Sequence, residues 1–195
     1  MILHLELLEF FVSVERNLSP ILRDHALVVG GHPKSRGVVS ACSRDLQKRG
    51  VRIGMALSSA YSMAPDAAFV EPHFLAYTQI SEKIKASLCH QDIKMTQVSV
   101  DEFYLDLAKK DLNFGDWILF GHTLQAQILK DFGISATVGL GSSSDVAKLA
   151  SALANPRHIL AVLPGEEETF SYGVQTTMRP YYAPERFSVL DALVA

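Results

Sequence analysis

The tract of residues 99–106, SVDEFYLD, constrains the fold of this chain more than any other part of the sequence. Its valine, phenylalanine, tyrosine and leucine predict a β-strand with two adjacent carboxylates, Asp101 and Glu102, in its middle. Because strand side chains alternate faces, the two carboxylates are expected on opposite sides unless the strand bends or ends there. Burying two like charges is costly, and a divalent cation would remove that cost. The tract therefore predicts either a metal site at a strand end or hairpin turn, or an edge hairpin with solvated carboxylates.

The composition is that of a folded protein with a substantial core. The chain has 195 residues, and 48% of them are hydrophobic, which is enough for one large domain or two small ones. No apolar run reaches the ~18–20 residues that a membrane span needs, and the first residues lack the pattern of a signal peptide. Two cysteines do not make a disulfide framework. We therefore expect a cytoplasmic protein with no membrane partner.

The charge distribution limits how the chain can contact nucleic acid. The formal net charge is −3 and the isoelectric point is about 6.1, whereas a free-standing nucleic-acid binder is usually basic. Residues 34–52 are locally basic, with six lysines and arginines against Asp45 alone. This segment is either a local nucleic-acid contact or an ordinary solvated surface. The histidines are scattered without the spacing of a zinc site.

Strands and helices are mixed along the sequence without strict alternation. Such an order predicts an α+β fold, with helices mainly on one face of a sheet. Period-two tracts and short apolar runs predict strands at 1–6, 26–30, 37–42, 68–70, two within 92–107, 134–140 and 159–163. Helical periodicity and capping residues predict helices at 10–17, 44–49, 58–63, 74–90, 117–132 and 144–154.

Five short tracts together resemble one protein family. They are residues 10–15 (FFVSVE), 36–40 (RGVVS), 50–55 (GVRIGM), 99–106 (SVDEFYLD) and 147–151 (AKLAS). Their order and spacing are similar to those of the Y-family (DinB/UmuC-like) translesion DNA polymerases, and the resemblance covers about residues 1–165.

The resemblance implies a domain organisation. It predicts a palm with a mixed or antiparallel sheet, formed by residues 1–19 and 66–165, and a small fingers subdomain at 20–65. Residues 166–195 read as a C-terminal tail or linker, with no recognisable thumb or little-finger domain. Without a thumb and a little-finger domain, few basic residues would contact the duplex, and phosphate contacts supply most of the non-specific affinity for DNA. We therefore expect little or no processive synthesis from these 195 residues alone.

The resemblance also implies a two-metal reaction that joins a deoxynucleoside triphosphate to a primer–template DNA during repair. Two Mg²⁺ or Mn²⁺ ions would be held by Asp101, Glu102 and an acid on the first strand. That acid is Glu6, where the family usually has aspartate, and the backbone carbonyl of Leu7 would be a further ligand. The extra methylene of Glu6 shifts its oxygens by about 1.5 Å, which predicts weakened catalysis. The alternative for Glu6 is a surface acid at a strand end.

The aromatic pair after the first strand matches the family's nucleotide pocket. Phe11 aligns with the steric gate that excludes a 2′-hydroxyl by a built-in clash. Phe10 is assigned to the same nucleotide-binding set, although ordinary helix packing is the preferred interpretation for it.

The expected triphosphate contacts depart from the family pattern. The tyrosine and arginine of the fingers are replaced by Arg44 and Gln47, and the palm lysine before a proline is replaced by Asn155. Lys148 is retained. Loss of two cationic groups, at positions 47 and 155, weakens stabilisation of the migrating phosphoryl charge, and Arg44 could supply some charge from a neighbouring position.

Three hypotheses follow. The chain is an active polymerase core, a catalytically degenerate relative that acts as a binding or adaptor protein in DNA damage tolerance, or a piece of a longer protein. Clamp proteins and other components of repair complexes are further candidate partners.

Overall fold

The computed structural model describes residues 1–89, 93–108, 113–156 and 158–177. They form two compact units. The first comprises Met1–Glu6, Cys89–Gln127 and the chain from Ser135, and the second comprises Leu7–Leu88 and Ile128–Ile134. The strands are β1 (Ile2–Leu7), β2 (Leu27–Val29), β3 (Ala41–Cys42), β4 (Ala68–Val70), β5 (Lys94–Gln97), β6 (Glu102–Asp106), β7 (Ala136–Gly141) and β8 (Ile159–Ala161). The helices are α1 (Phe10–Leu18), α2 (Arg44–Lys48), α3 (Leu57–Met63), α4 (Phe74–Leu88), α5 (Phe114–Phe132), α6 (Ser144–Leu153) and α7 (Glu167–Thr177), with a 3₁₀ turn at Pro20–Leu22.

The first unit is built on a mixed five-stranded sheet in the order β5-β6-β1-β7-β8. Strand β6 is antiparallel to β5 and to β1, and β7 is parallel to β8. Phe103 and Leu105 of β6 are fully buried, while the alternate residues Glu102, Tyr104 and Asp106 are only partly buried. The period of two therefore separates a core face of this strand from a face that carries polar groups.

Helix α6 crosses β7 at very short range. A Cβ on Gly139 would lie 2.0 Å from the carbonyl oxygen of Ala147 and 2.3 Å from the amide nitrogen of Ser151. Only glycine permits this approach of helix backbone to strand backbone. Ser143 caps the start of the helix, and its Oγ accepts from the Val146 N–H.

The second unit contains a three-stranded sheet in the order β3-β2-β4. Strand β2 is antiparallel to β3 and parallel to β4. Its core consists of small and branched apolar side chains from the strands and from α2 and α3, namely Val28, Val39, Cys42, Leu46, Val51, Leu57, Ala60 and Ala64.

The α+β class with a mixed sheet is confirmed, and most elements lie where periodicity predicts them. The strand predicted at 37–42 is too long: only Ala41–Cys42 is regular, because Val39 exchanges backbone hydrogen bonds with Gly54 and Met55 instead. The carboxylate pair is not in the middle of a strand, since β6 begins at Glu102 and Asp101 lies in the preceding bend. Helix α7, with Glu167 and Glu168 in its first turn, was not predicted in the segment read as a tail. The palm and fingers boundaries stay a prediction, and residues 178–195 of the predicted tail lie outside the described residues.

In the part of the chain that the structure describes, none of the helices combines the length and the apolar character that a membrane crossing requires.

Candidate catalytic site

The pairing of β1 with β6 places two acids opposite each other. Glu6 is the register partner of Glu102, and His4 is the partner of Tyr104, two residues further along the same face. Directly opposed residues on neighbouring strands have their Cβ atoms about 4.5–5.5 Å apart. The sheet thus brings together two of the three predicted carboxylates.

Asp101 lies just before β6, in the hairpin turn that joins it to β5. The turn is closed by the Val98 N–H, which donates to the Glu102 carbonyl. The Ser99 hydroxyl donates to Asp101 Oδ1 at 2.5 Å. The bend is what frees Asp101 from the strict alternation of the strand, so that it need not point away from Glu102.

Two side chains hold Glu102 from different elements. His4 Nε2 is 2.9 Å from Glu102 Oε1, and Lys148 Nζ from α6 is 2.6 Å from the same oxygen. Partial burial acts to raise the pKa of Glu102, but the hydrogen bonds from Lys148 and His4 outweigh it and keep the pKa below its ordinary value. Glu102 is therefore an ionised carboxylate with fixed donors on one oxygen.

Glu6 experiences the opposite environment. Burial, and then the negative charges of Asp101 and Glu102, raise the pKa of Glu6 above its ordinary value. Three carboxylates close enough to repel one another favour a cation between them.

The residues present fit a divalent cation by their donor chemistry. Carboxylate oxygens are the ligands that Mg²⁺ and Mn²⁺ prefer. Among the residues that the structure describes, no group of three such side chains is already arranged around a common point. Lys148 places a positive charge next to Glu102. Asp101, Glu102 and Glu6 thus have the right chemistry, and side-chain movement would complete the ligand set.

The aromatic pair that was assigned to the nucleotide pocket lies in the second unit. Phe10 is buried, in keeping with helix packing. The Phe11 ring stacks on Tyr77, with centroids 4.2 Å apart and planes 15° apart. The Tyr77 hydroxyl donates to the carboxylate of Glu15, which is 2% exposed and also accepts from His73. A buried acid therefore anchors the ring on which Phe11 rests.

The two fingers positions make contacts that belong to the fold of the second unit. The Arg44 backbone N–H donates to Glu9 Oε1 at 2.6 Å. The Gln47 side-chain amide donates to the Cys42 carbonyl at 3.1 Å. Glu9 has a left-handed backbone, with φ of 48°, where α1 begins. Gln47 therefore has a structural contact in place of the free cation of the family pattern.

The remaining predicted residues divide between the two units. Asn155 follows α6 in the first unit, and its carbonyl accepts from the His158 N–H. Leu7 is the buried last residue of β1 and is counted in the second unit. The first unit thus groups Glu6, Asp101, Glu102 and Lys148, while the second contains Leu7, Phe10, Phe11, Arg44 and Gln47. Their roles toward a nucleotide stay predictions.

Sequence reasoning missed four residues that surround these groups: His4, Ser151, Tyr77 and Glu15. A signal for His4 was present, because it lies two residues before Glu6 on the same strand and must share its face. Ser151 and Glu15 end two of the tracts that carry the family resemblance, but no local pattern points to their contacts with His4 and Tyr77, since these partners are far away in the sequence.

Comparison with known proteins gives a consistent result. The profile of the impB/mucB/samB family matches residues 5–152. A DNA polymerase IV of Dehalococcoides mccartyi (strain CBDB1) is 32% identical over 179 residues, which cover 92% of this chain and 46% of that protein. A DNA polymerase IV of Leptospira interrogans is 34% identical over 169 residues, covering 87% of this chain and 47% of that protein. The chain spans about half the length of these relatives.

Solved structures of similar fold include polymerases. The post-insertion binary complex of Dbh DNA polymerase superposes with a TM-score of 0.80 and 28% identity, covering 87% of this chain and 50% of that one. The DinB protein from Sulfolobus solfataricus superposes with a TM-score of 0.79 and 26% identity, covering 99% of this chain and 57% of that one.

Proposed function

This chain belongs to the impB/mucB/samB family, and we propose that it provides the palm and fingers of a Y-family DNA polymerase that adds deoxynucleotides to a primer in translesion synthesis and DNA repair. The observation that carries the proposal is the opposition of Glu6 and Glu102 across β1 and β6, with Asp101 in the adjoining turn. Its partners would be a primer–template DNA and a deoxynucleoside triphosphate, with clamp or repair-complex proteins as further candidates.

The acidic cluster supplies the chemistry of the proposed reaction. Asp101, Glu102 and Glu6 would hold two Mg²⁺ or Mn²⁺ ions, with the Leu7 carbonyl as an added ligand. When bound, these ions activate the attacking hydroxyl and neutralise the triphosphate. The residues themselves orient the ions: Glu102 is held at one oxygen by two donors, and Ser99 restrains Asp101. The longer side chain of Glu6 predicts a slower reaction than an aspartate would support.

The second unit would select and bind the nucleotide. Phe11, backed by Tyr77, would exclude a ribose by its clash with the 2′-hydroxyl. Among the positions predicted for the triphosphate, Arg44 of the second unit and Lys148 of the first unit are cationic, whereas Gln47 and Asn155 contribute only neutral amides.

A second candidate function is supported by a specific contact. The Gln47 side-chain amide donates to the Cys42 carbonyl, and this contact stabilises the fold of the second unit. It favours a degenerate relative that binds partners in DNA damage tolerance without synthesis. The two candidates differ in whether the chain binds a deoxynucleotide with metal.

The deciding experiment is titration calorimetry of a deoxynucleoside triphosphate with Mn²⁺ and with Mg²⁺. Metal-dependent binding that is lost in Asp101→Ala supports the polymerase. A matched control is Glu82→Gln, which removes an exposed carboxylate of α4 far from the acidic cluster in sequence and should leave binding unchanged. Absence of binding with either metal would reject the polymerase site and favour the adaptor.

A further inference from the structure

We propose that His4 is a positioning residue, which orients Glu102 for metal binding through a hydrogen-bond chain that starts at Ser151; this inference rests on the proposed function of the acidic cluster. His4 is not one of the candidate metal ligands Glu6, Asp101 and Glu102. It is 0% exposed, in the centre of a strand whose other central residues are apolar. A fully buried imidazole is expected to have partners for its ring nitrogens, and here both have one.

The two contacts of His4 determine which of its ring nitrogens carries the proton. Nδ1 lies 2.5 Å from Ser151 Oγ, and Nε2 lies 2.9 Å from Glu102 Oε1. A neutral imidazole has one N–H and one acceptor nitrogen. Since an ionised carboxylate only accepts, the proton belongs on Nε2, and Nδ1 accepts from the Ser151 hydroxyl.

Ser151 enforces this arrangement from α6. Its single hydroxyl proton has two acceptors within reach, His4 Nδ1 at 2.5 Å and the Lys148 carbonyl at 2.9 Å. The shorter contact favours Nδ1. Donation from Ser151 selects the tautomer whose Nε2–H faces Glu102, and the close packing of α6 on Gly139 fixes the distance.

The same geometry excludes a hydrolytic Ser–His–acid triad. Ser151 is 1% exposed and His4 is 0% exposed, so neither the hydroxyl nor the imidazole can reach a substrate carbonyl. The chain of hydrogen bonds ends instead at Glu102, whose side chain is 17% exposed. Glu102 is the group that faces outward, and His4 and Ser151 lie behind it. Hydrogen-bond partners behind a metal ligand have this arrangement.

The two donors to Glu102, Lys148 and His4, differ in their exposure to solvent. Both donors meet Oε1 of Glu102, but the Lys148 side chain is 54% exposed, whereas His4 is enclosed. The exposed ammonium group of Lys148 could move into solvent if Glu102 held a metal ion. His4 cannot leave, so it retains the carboxylate orientation after the ion has bound.

The test compares two substitutions of His4 in the 195-residue chain, with Mn²⁺ alone as the probe and electron paramagnetic resonance as the readout. In His4→Asn the amide reaches the Nδ1 position only, so the Glu102 contact is lost. In His4→Gln the amide reaches the Nε2 position and can donate to Glu102. We expect about tenfold weaker Mn²⁺ binding in His4→Asn and recovery of most of it in His4→Gln, while thermal unfolding shows similar stability losses in both.

Three results decide the inference. Equal Mn²⁺ affinity of wild type and His4→Asn overturns it, and so does equal weakening in both variants, since that would mark a purely structural residue. If wild type and Asp101→Ala both fail to bind Mn²⁺, the proposed function fails. The ¹⁵N shifts of the His4 ring then decide the hydrogen-bond chain separately: a proton on Nε2 supports it, and a proton on Nδ1 overturns it.

Discussion

The ring of Phe11 lies stacked on the ring of Tyr77, with centroids 4.2 Å apart. Tyr77 comes from α4, is 1% exposed, and donates its hydroxyl to the buried Glu15 of α1. Burial, and then the hydrogen bond to Glu15, raise the pKa of Tyr77 well above its ordinary value. Tyr77 therefore remains a neutral donor, and the position of the candidate steric gate depends on a neighbour 66 residues away in the sequence.

Tyr77→Ala and Tyr77→Phe should separate the stack from the hydrogen bond. Removing the ring frees Phe11 to move, so we expect the preference for a deoxynucleotide over a ribonucleotide to fall several-fold in Tyr77→Ala. Tyr77→Phe keeps the ring and should keep the preference, but it should lose about 1–3 kcal/mol of stability because Glu15 loses a donor. Calorimetric titration with dATP and ATP in Mn²⁺, together with urea unfolding, measures both. An unchanged preference in Tyr77→Ala would contradict the role of the stack.

Gly139→Ala should destabilise the first unit severely. The new methyl group would meet the Ala147 carbonyl and the Ser151 amide of α6, and backbone cannot yield as a side chain can. We expect a loss of about 3 kcal/mol or more, and weaker Mn²⁺ binding because α6 carries Lys148 and Ser151. Gly173→Ala in α7 is the matched control, since among the described residues no atom outside the adjoining helix backbone lies within 4 Å of the added carbon. Helix propensity predicts a neutral or slightly stabilising effect there. Similar unfolding midpoints for the two variants would show that α6 can move away from β7.

Glu6→Gln should stabilise the metal-free protein. Burial and the charges of Asp101 and Glu102 disfavour the ionised form of Glu6 and raise its pKa, so a neutral isostere removes that repulsion. We expect a gain of about 1 kcal/mol, equivalent to a rise in Tm of about 2–4 °C. Added Mn²⁺ should stabilise wild type but have little effect on the variant. Thermal unfolding with and without Mn²⁺ checks both; a lower Tm for metal-free Glu6→Gln would mean that Glu6 makes a net favourable contact.

Cys42 should make the stability of the protein depend on alkaline pH. Burial, and then the nearby charge of Glu9, raise the pKa of the Cys42 thiol from 9.0 to about 11. Between these values the unfolded chain has lost a proton that the folded chain retains, so stability falls as pH rises from 9 to 11. The contribution is at most about 3 kcal/mol. Urea unfolding of wild type and Cys42→Ala at several pH values measures it: the variant should show the shallower decline, and parallel declines would contradict the assignment.

Local sequence patterns predicted most of the secondary structure. The strand at Ala68–Val70 and the helix ending at Phe132 match their apolar periods and stop signals. The prediction of a strand over residues 37–42 was wrong, because Val39 forms non-local backbone hydrogen bonds with residues 54–55. The carboxylate pair was recognised as a candidate site, yet its place at a turn depended on the hydrogen bond from Val98 to Glu102.

The sequence by itself determined which acids are available and that Asp101 and Glu102 adjoin a strand, because residue identity and periodicity are local properties. The family resemblance came from the same residues and supplied Glu6 as their partner. Only the tertiary structure decided that Glu6 faces Glu102, because strand register is set by long-range pairing. It alone placed Ser151 against His4, since the two are 147 residues apart and meet only where α6 packs on β7. Local propensity cannot specify such contacts, because they arise only when distant elements bury their surfaces together.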